Sequence, residues 1–393
     1  MSSLPFWGYG LILVGSLFLS LVLTPVAIGV AVRFGVLDHP GPAKAHVKAV
    51  PYLGGTAIVV AFAGVVLVAA LLRPPPSGLP QLAGFLGLGV FLALVGLIDD
   101  IRGGLSPWLR LALEAGAGAA VWAMGYAAHL AGLPRALDAV VTVLWVAGVT
   151  NAFNLLDNMD GLSSGVSVIA SLSIFGIAWL QHRYLVAALA IALAGCAAGF
   201  LRSNFHPARI YMGDAGSLFL GFTISVLLLT LRANAPTRVG VAVLLAVPGV
   251  ALFDTTLVML SRVAHKRNPF NGGQDHTSHR LVYLGLSVRK AVALTYLVGA
   301  ALGGVAIAMT QVPSARIFAV AALLGVAALA AVPLFRVPVY KVPWAQAKGR
   351  KFSLLPNKEA GHRQANNGGP ENDGPGAATI PLPEPAPPAP AKN

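Results

Sequence analysis

Apolar stretches long enough to cross a bilayer recur along this chain, and that recurrence constrains the fold more than any single motif. A helix needs about 20 consecutive apolar residues to span the hydrocarbon core. Runs of that order lie at approximately 8–32, 53–72, 82–98, 109–130, 136–152, 163–180, 184–200, 217–231, 238–260, 289–309 and 314–335. Only 10% of the 393 residues are charged and 56% are hydrophobic, whereas soluble domains carry about 25% charged residues. An outer-membrane barrel would need alternation of apolar and polar residues over strands of about ten, and no such alternation runs through the chain. The pattern predicts an all-α, polytopic membrane protein with about eleven transmembrane helices.

Charge orients the bundle. There are 27 Lys and Arg against 14 Asp and Glu, a net charge of +13. In a soluble protein that excess would point to nucleic acid; here it fits basic residues collected on the cytosolic side, and no nucleic-acid partner is expected. With the N-terminus outside and the C-terminus in the cytosol, 21 basic residues fall inside and six outside: Arg73, Arg135, Arg183, Arg232, Arg238 and Arg316. Setting aside the tail, which weighs little in topology, the count is 13 to six. The first run lacks a basic leader and a small-residue cleavage site, so it reads as a retained helix. Residues 1–354 form the expected transmembrane domain; 355–393, polar and then rich in Pro and Ala, read as a disordered cytosolic tail. Cys196 lies in an apolar run and, as the only cysteine, excludes an intrachain disulfide and a cysteine metal cluster.

The acids follow the same side. Of ten aspartates, Asp38, Asp99, Asp100, Asp157, Asp160, Asp214, Asp254 and Asp275 lie on the cytosolic face in this topology, with only Asp138 outside and Asp373 in the tail. Ionisable groups at a membrane boundary are costly and mark function. Asp99 and Asp100 are adjacent at a predicted helix mouth, where mutual repulsion raises one carboxyl unless a cation compensates; that suits a Mg²⁺ neighbour or a proton acceptor. Asn151, Asn154, Asp157 and Asp160 are spaced by three in NAFNLLDNMDGL, which on a helix makes one drifting polar stripe. Amides with carboxylates suit hydroxyls, phosphates or hydrated Mg²⁺. Asp214, between Gly213 and Gly216, precedes a helix predicted to start near Ser217, where it suits a cap, a metal ligand or a phosphate neighbour. His276, His279 and Arg280 follow Asp275 in the 261–288 loop and suit a diphosphate. Asp254 is expected near the cytosolic end of the 238–260 helix. Lys44 and His46, with Asp38 and Lys48, form a further polar loop whose basic side chains serve equally as phosphate ligands or topology anchors.

Taken together, DHPGPAKAHVKAVPYLGG (38–55), GLIDDIRGGLSP (96–107), NAFNLLDNMDGLSSG (151–165), NFHPARIYMGDAGSLFLGF (204–222), the Asp254 helix and DHTSHRL (275–281) resemble the polyprenyl-phosphate N-acetylhexosamine-1-phosphate transferase family, of glycosyltransferase family 4 type. The resemblance implies transfer of a sugar 1-phosphate from a UDP-sugar to undecaprenyl phosphate, with release of UMP, at the cytosolic face of the bacterial inner membrane. It implies Mg²⁺, with Mn²⁺ as a substitute, and leaves room for a homodimer. By the same resemblance Asp99 and Asp100 match the paired acids, linked to metal or acceptor phosphate, and Asp214 the metal-binding aspartate. Asn154, Asp157 and Asp160 match the stripe that contacts the nucleotide. His276, His279 and Arg280 match the loop associated with the donor's phosphates and sugar. The IRGGLSPWLRL continuation after the acid pair and the interrupted histidines resemble the GlcNAc-1-phosphate branch more than the lipid I synthases; Arg110 stands where that branch often has lysine.

The expected chemistry places Mg²⁺ on Asp214 and Asp100, and gives Asp99 the lipid phosphate. Direct displacement is the simpler course; an aspartyl-bound intermediate is the competing one. Two other readings remain: lipid I synthesis from UDP-MurNAc-pentapeptide, and an ion-coupled transporter, which would instead place acids near the midplane of interrupted helices.

Overall fold

The computed structural model describes residues 5–39, 49–74, 79–128, 134–233, 240–270, 272–312 and 316–340. The described elements belong to a unit spanning residues 1–354. The tail at 355–393 lies outside the described residues, as do Lys44, His46 and Lys48.

Thirteen helices and a single two-residue ladder form among the described residues. In chain order they are α1 (Phe6–Phe34), β1 (Leu37–Asp38), β2 (Val50–Pro51), α2 (Gly54–Leu72), α3 (Leu79–Arg102), α4 (Pro107–Ala123), α5 (Arg135–Leu156), α6 (Leu162–Leu180), α7 (Tyr184–Asn204), α8 (Gly213–Ala233), α9 (Val241–Ala246), α10 (Gly249–Ala264), α11 (Thr277–Tyr283), α12 (Val288–Gln311) and α13 (Arg316–Phe335). Eight of them, α1, α2, α3, α5, α6, α7, α8 and α12, are long and apolar enough to cross a membrane.

Each apolar run of the sequence corresponds to a helix, with four differences of detail. The 238–260 run is broken at Val247–Pro248 into α9 and α10, because proline removes a helical donor and clashes with the preceding turn. The α3 helix runs past residue 98, so Asp99 and Asp100 sit in its last turn rather than beyond its mouth. The α5 helix ends at Leu156, so only Asn151 and Asn154 of the expected stripe share a helix; Asp157 is its C-cap, with φ −77° and ψ 47°. The 261–288 loop contains α11, whose seven residues are too short and polar to register as a helical pattern.

Burial follows membrane logic. In α1 the apolar residues Phe6, Trp7, Leu11, Val14 and Phe18 face outward while Ser16, Ser20 and Thr24 are buried. Lipid satisfies the former, and small hydroxyl residues let α1 close on the Ala- and Gly-rich α7, where Ser20 Oγ donates to the Cys196 carbonyl at 2.7 Å. Such interhelical bonds contribute about 1 kcal/mol. At the centre stands α8. Its run SLFLGFTISVLLL is apolar on every side, which requires cover on every side, and α2, α3, α5, α6 and α7 supply it. Its N-terminus carries its one carboxylate, Asp214, and that is where the acids meet.

Candidate active site

The N-terminus of α8 is held by three backbone connections. Tyr211 N–H donates to the Pro51 carbonyl, and the Tyr211 and Met212 carbonyls accept from Gly54 and Gly55 N–H at 2.9 and 2.8 Å. The first turn of α2 is thereby pinned to the segment that leads into α8. The approach is so close that a Cβ on Gly55 would lie 2.1 Å from the Gly216 nitrogen, a position only glycine can fill. Gly213 takes φ +71°, and a side chain there would also strike the Asp100 carboxylate. The chain thus turns sharply through a left-handed residue and delivers Asp214 into the first turn of α8, four residues earlier than the helix start expected at Ser217.

Three other helices bring their ends to this turn. From α3, Asp100 accepts the Asp214 and Ala215 backbone N–H groups at 2.9 and 3.2 Å, satisfying donors a helix start leaves open. Asp99, beside it, accepts the Leu105 N–H and so closes the Gly103–Gly104 turn. From α5, Asn154 donates to Asp214 Oδ1 at 2.8 Å and to Ser217 Oγ at 3.0 Å. From α4, Arg110 Nη1 lies 2.6 Å from Asp214 Oδ2. Asp157 stands just past the end of α5. Burial, and then the negative charges of Asp214, Asp100 and Asp160, push its carboxyl up to about 8. Tyr52, between β2 and α2, has its phenol pushed well above the usual range by burial and then by Asp100, Asp214, Asp157 and Asp38. Asp38, Asp100, Asp157, Asp160 and Asp214, from four segments, therefore bear on one small volume.

A second cluster adjoins it. Asp254, near the middle of α10 rather than at its end, accepts from His276 Nδ1 at 2.7 Å and from the Thr277 N–H. The carboxylate keeps the proton on Nδ1 and leaves Nε2 as the working nitrogen. His279 packs against His276, with ring centroids 5.8 Å apart; burial, and then His276, lower it to about 3, so it is neutral at physiological pH. Ser278 Oγ donates to Asn158 Oδ1 at 2.6 Å, tying this segment to the loop that carries Asp157.

Arg280 has a different placement from the one its sequence context implied. It is fully buried and donates to the Asp275 and Leu334 carbonyls and to Ser261 Oγ. Asp275 is likewise engaged, by Arg262 through two bonds of 2.8 Å and by Tyr340 at 2.7 Å. These two residues lock the histidine segment against α10, the end of α13 and Tyr340. Asp160 is also committed, to His206 Nδ1 at 2.7 Å and the Ala208 N–H at 3.1 Å, and so shapes the 204–213 segment. Asn151 belongs to α5 one turn below Asn154 and donates to Glu114.

Glu114 and Tyr52, which the motif reading did not single out, adjoin the acid cluster. Glu114 is the only glutamate before residue 359 and lies in an Ala- and Gly-rich helix, where an acid is itself a signal. Tyr52 carried no signal beyond its place in a polar loop.

Among the described residues, no three acids or imidazoles are grouped as a closed metal cage. Mg²⁺ does not need one: it is ordinarily held by one or two carboxylates, with water and substrate phosphate completing its shell. Asp214 and Asp100 are hard oxygen donors at the turn where the acids converge, and a cationic group, the Arg110 guanidinium, already lies against Asp214. The donor set fits a magnesium ion.

Residues 82–232 match the family model described as glycosyl transferase family 4. The chain is similar to a Bacillus subtilis protein described as a probable undecaprenyl-phosphate N-acetylglucosaminyl 1-phosphate transferase. The two are 32% identical over 292 residues, 72% of this chain and 80% of the relative. It is 32% identical over 299 residues to the decaprenyl-phosphate N-acetylglucosaminephosphotransferase of Mycolicibacterium smegmatis, covering 68% and 73% of the two chains. With the undecaprenyl-phosphate alpha-N-acetylglucosaminyl 1-phosphate transferase of Escherichia coli K12 the identity is 25% over 291 residues, covering 71% and 77%.

Proposed function

The chain belongs to glycosyl transferase family 4, and from that premise we propose that it transfers GlcNAc 1-phosphate from UDP-GlcNAc to undecaprenyl phosphate, releasing UMP. The names of the relatives support the sugar and the polyprenyl acceptor. The observation that carries the reading is the gathering of Asp99, Asp100, Asp157 and Asp214 around the start of α8 at one end of an apolar bundle. A water-soluble nucleotide sugar and a lipid phosphate can meet only at such a rim.

In the reaction an oxygen of the lipid phosphate attacks the β-phosphorus of the UDP-sugar. The bond from that phosphorus to the bridging oxygen breaks, and the electron pair leaves on UMP. Such transfers depend on positioning and on neutralising charge. A Mg²⁺ ion held by Asp214 and Asp100 would supply Lewis-acid neutralisation of the donor's diphosphate. Asn154 holds Asp214 in place, and Asp99 lies at the membrane rim, placed to receive the lipid phosphate. As the imidazolium paired with Asp254, His276 would donate its Nε2–H to phosphate oxygens, with His279 packed against that ring. Asp275 and Arg280 act as positioning residues behind the histidines, and Asp160 behind Asp157. Because the acceptor phosphate is already a competent nucleophile, displacement in one step is the simpler course.

The same reading sets eleven crossings, with α4, α9 with α10, and α13 joining the eight helices that are long and apolar enough to cross a membrane. It sets the N-terminus outside and the site facing the cytosol of a bacterial inner membrane, with a homodimer as the arrangement to test. The 13-to-six distribution of basic residues outside the tail supports that orientation.

The test is radiolabel transfer by purified protein with Mg²⁺ and undecaprenyl phosphate, comparing UDP-GlcNAc with UDP-MurNAc-pentapeptide. Labelled lipid and UMP from UDP-GlcNAc alone, lost in Asp214→Ala, is the expected result. Turnover with only the MurNAc donor would overturn the branch, and none with any UDP-N-acetylhexosamine would overturn the reaction.

A further inference from the structure

Glu114 lies fully buried in α4, and its two oxygens are treated unequally. Oε2 accepts from Asn151 Nδ2. Oε1 makes no hydrogen bond and lies 3.7 Å from Arg110 Nε. An open, buried carboxylate oxygen is expensive, because removal from water has no return. One helical turn away, Arg110 spends its closest contact on Asp214 Oδ2 at 2.6 Å. Asp214 Oδ1 is taken as well, by Asn154. In this arrangement each oxygen of the carboxylate assigned to the metal already accepts from a protein donor, one of them cationic, and a divalent ion on Oδ2 would compete with that cation for the same oxygen.

We propose that Glu114 is the acid onto which Arg110 docks when a divalent cation takes Asp214. The guanidinium leaves Asp214 Oδ2 and closes on the open Oε1 of Glu114. The inference rests on the assignment of the ion to Asp214. The i,i+4 spacing on α4 puts both residues on one face of the helix, so the exchange needs only a side-chain rotation, and no backbone need shift. Each end of the swing pairs the Arg110 guanidinium with a carboxylate, and the second end also satisfies the open Oε1 of Glu114. Glu114 is by this account a positioning residue: it touches neither ion nor substrate, and acts by holding Arg110 away.

Direct Mn²⁺ binding, read by electron paramagnetic resonance on the purified full-length protein without substrates, tests this apart from turnover. Asp214→Asn is expected to lose the bound ion. Glu114→Gln and Glu114→Asp are each expected to weaken Mn²⁺ binding about tenfold, the size of a typical coupling between contacting residues. Arg110→Gln is expected to tighten it, and adding Glu114→Gln in that background to change nothing further. A simple field effect of the Glu114 charge would instead spare Glu114→Asp and weaken binding equally with or without Arg110; either result overturns the proposal. Should Glu114→Gln fail to fold, Glu114→Asp, which keeps the charge and retracts it, decides alone. If Asp214→Asn binds Mn²⁺ as the wild type does, the metal assignment falls and the docking role falls with it. If Asp214→Asn loses the ion while both Glu114 variants bind normally, only the docking role falls.

Discussion

The carboxylate of Asp100 caps the helix that carries Asp214, accepting the Asp214 backbone N–H at 2.9 Å and that of Ala215 at 3.2 Å. One acid of the site thus sets the position of another through the main chain, and the pair cannot be varied independently. Asp100→Ala is expected to lose about 1 kcal/mol of stability, the usual worth of a helix cap, together with transfer activity. Asp99→Ala, which opens only the Gly103–Gly104 turn, is expected to lose activity with a smaller fall in thermal stability. Thermal unfolding in detergent, set beside the transfer assay, checks the difference.

The contact between α2 and α8 depends on the absence of two side chains. Gly55→Ala would push a methyl to 2.1 Å from the Gly216 nitrogen. Overpacking of this kind costs about 1–3 kcal/mol, and here it displaces the turn that presents Asp214, so activity should fall with stability. Gly15→Ala, in α1, meets nothing within 4 Å and should stay within about 0.5 kcal/mol of the parent. Unfolding midpoints of the two variants make the comparison.

Asp275 gives the histidine segment an acid-sensitive hold. Burial by itself raises its carboxyl, but the hydrogen bonds from Arg262 and then Tyr340, with the charges of Arg262 and His276, outweigh it and hold the group at about 2 against an ordinary 3.8. A depressed acid stabilises the fold fully above its unfolded value. That stabilisation, about 2 kcal/mol, should disappear as pH falls from about 4 through about 2. Denaturation between pH 6 and pH 2 should show the loss in the parent. Asp275→Asn should be less stable at neutral pH by about 3–5 kcal/mol, because Arg262 is left buried alone, and should lack that part of the acid slope.

Asp254 and His276 should behave as one unit. Asp254→Asn keeps the size of the side chain but can present its amide N–H to Nδ1, turning the ring or its tautomer. Transfer is expected to fall on the order of 10²-fold. His276→Ala should fall as far, and the double variant no further, since members of a unit are not additive. Rates of the three variants at saturating donor provide the check. A double variant much slower than either single one would separate the two roles.

The helices were legible because their apolar runs approach the thickness of a bilayer, a constraint that acts on every residue of a span. Their ends were less so. Charge ordinarily ends an apolar run, which sets Asp99 and Asp100 at the mouth of α3, yet the helix continues to Arg102, where the α8 N-terminus supplies partners for Asp100. The spacing from Asn151 to Asp160 makes one stripe only where the residues are helical; α5 ends at Leu156, and beyond it Asp160 and Asn158 are held by distant segments, through His206 and Ser278. Arg280 shows a further limit. Beside histidines an arginine reads as a phosphate ligand, and only the fold reveals that the Asp275 and Leu334 carbonyls and Ser261 already use its donors. The pairing of Glu114 with Arg110 was within reach of the sequence as a four-residue spacing, but nothing there distinguishes it from an exposed ion pair.

The burial of α8 has a mechanical result. Within its span of Gly213–Leu231, 89% of the most apolar window is covered by protein, whereas α1 turns Phe6, Leu11 and Phe18 to the outside. Lateral pressure and changes in bilayer thickness therefore load the outer ring of helices, while the axle bearing Asp214 is insulated from them. A membrane of different composition should alter how readily the lipid acceptor arrives, and leave the spacing of the acids that receive it unchanged.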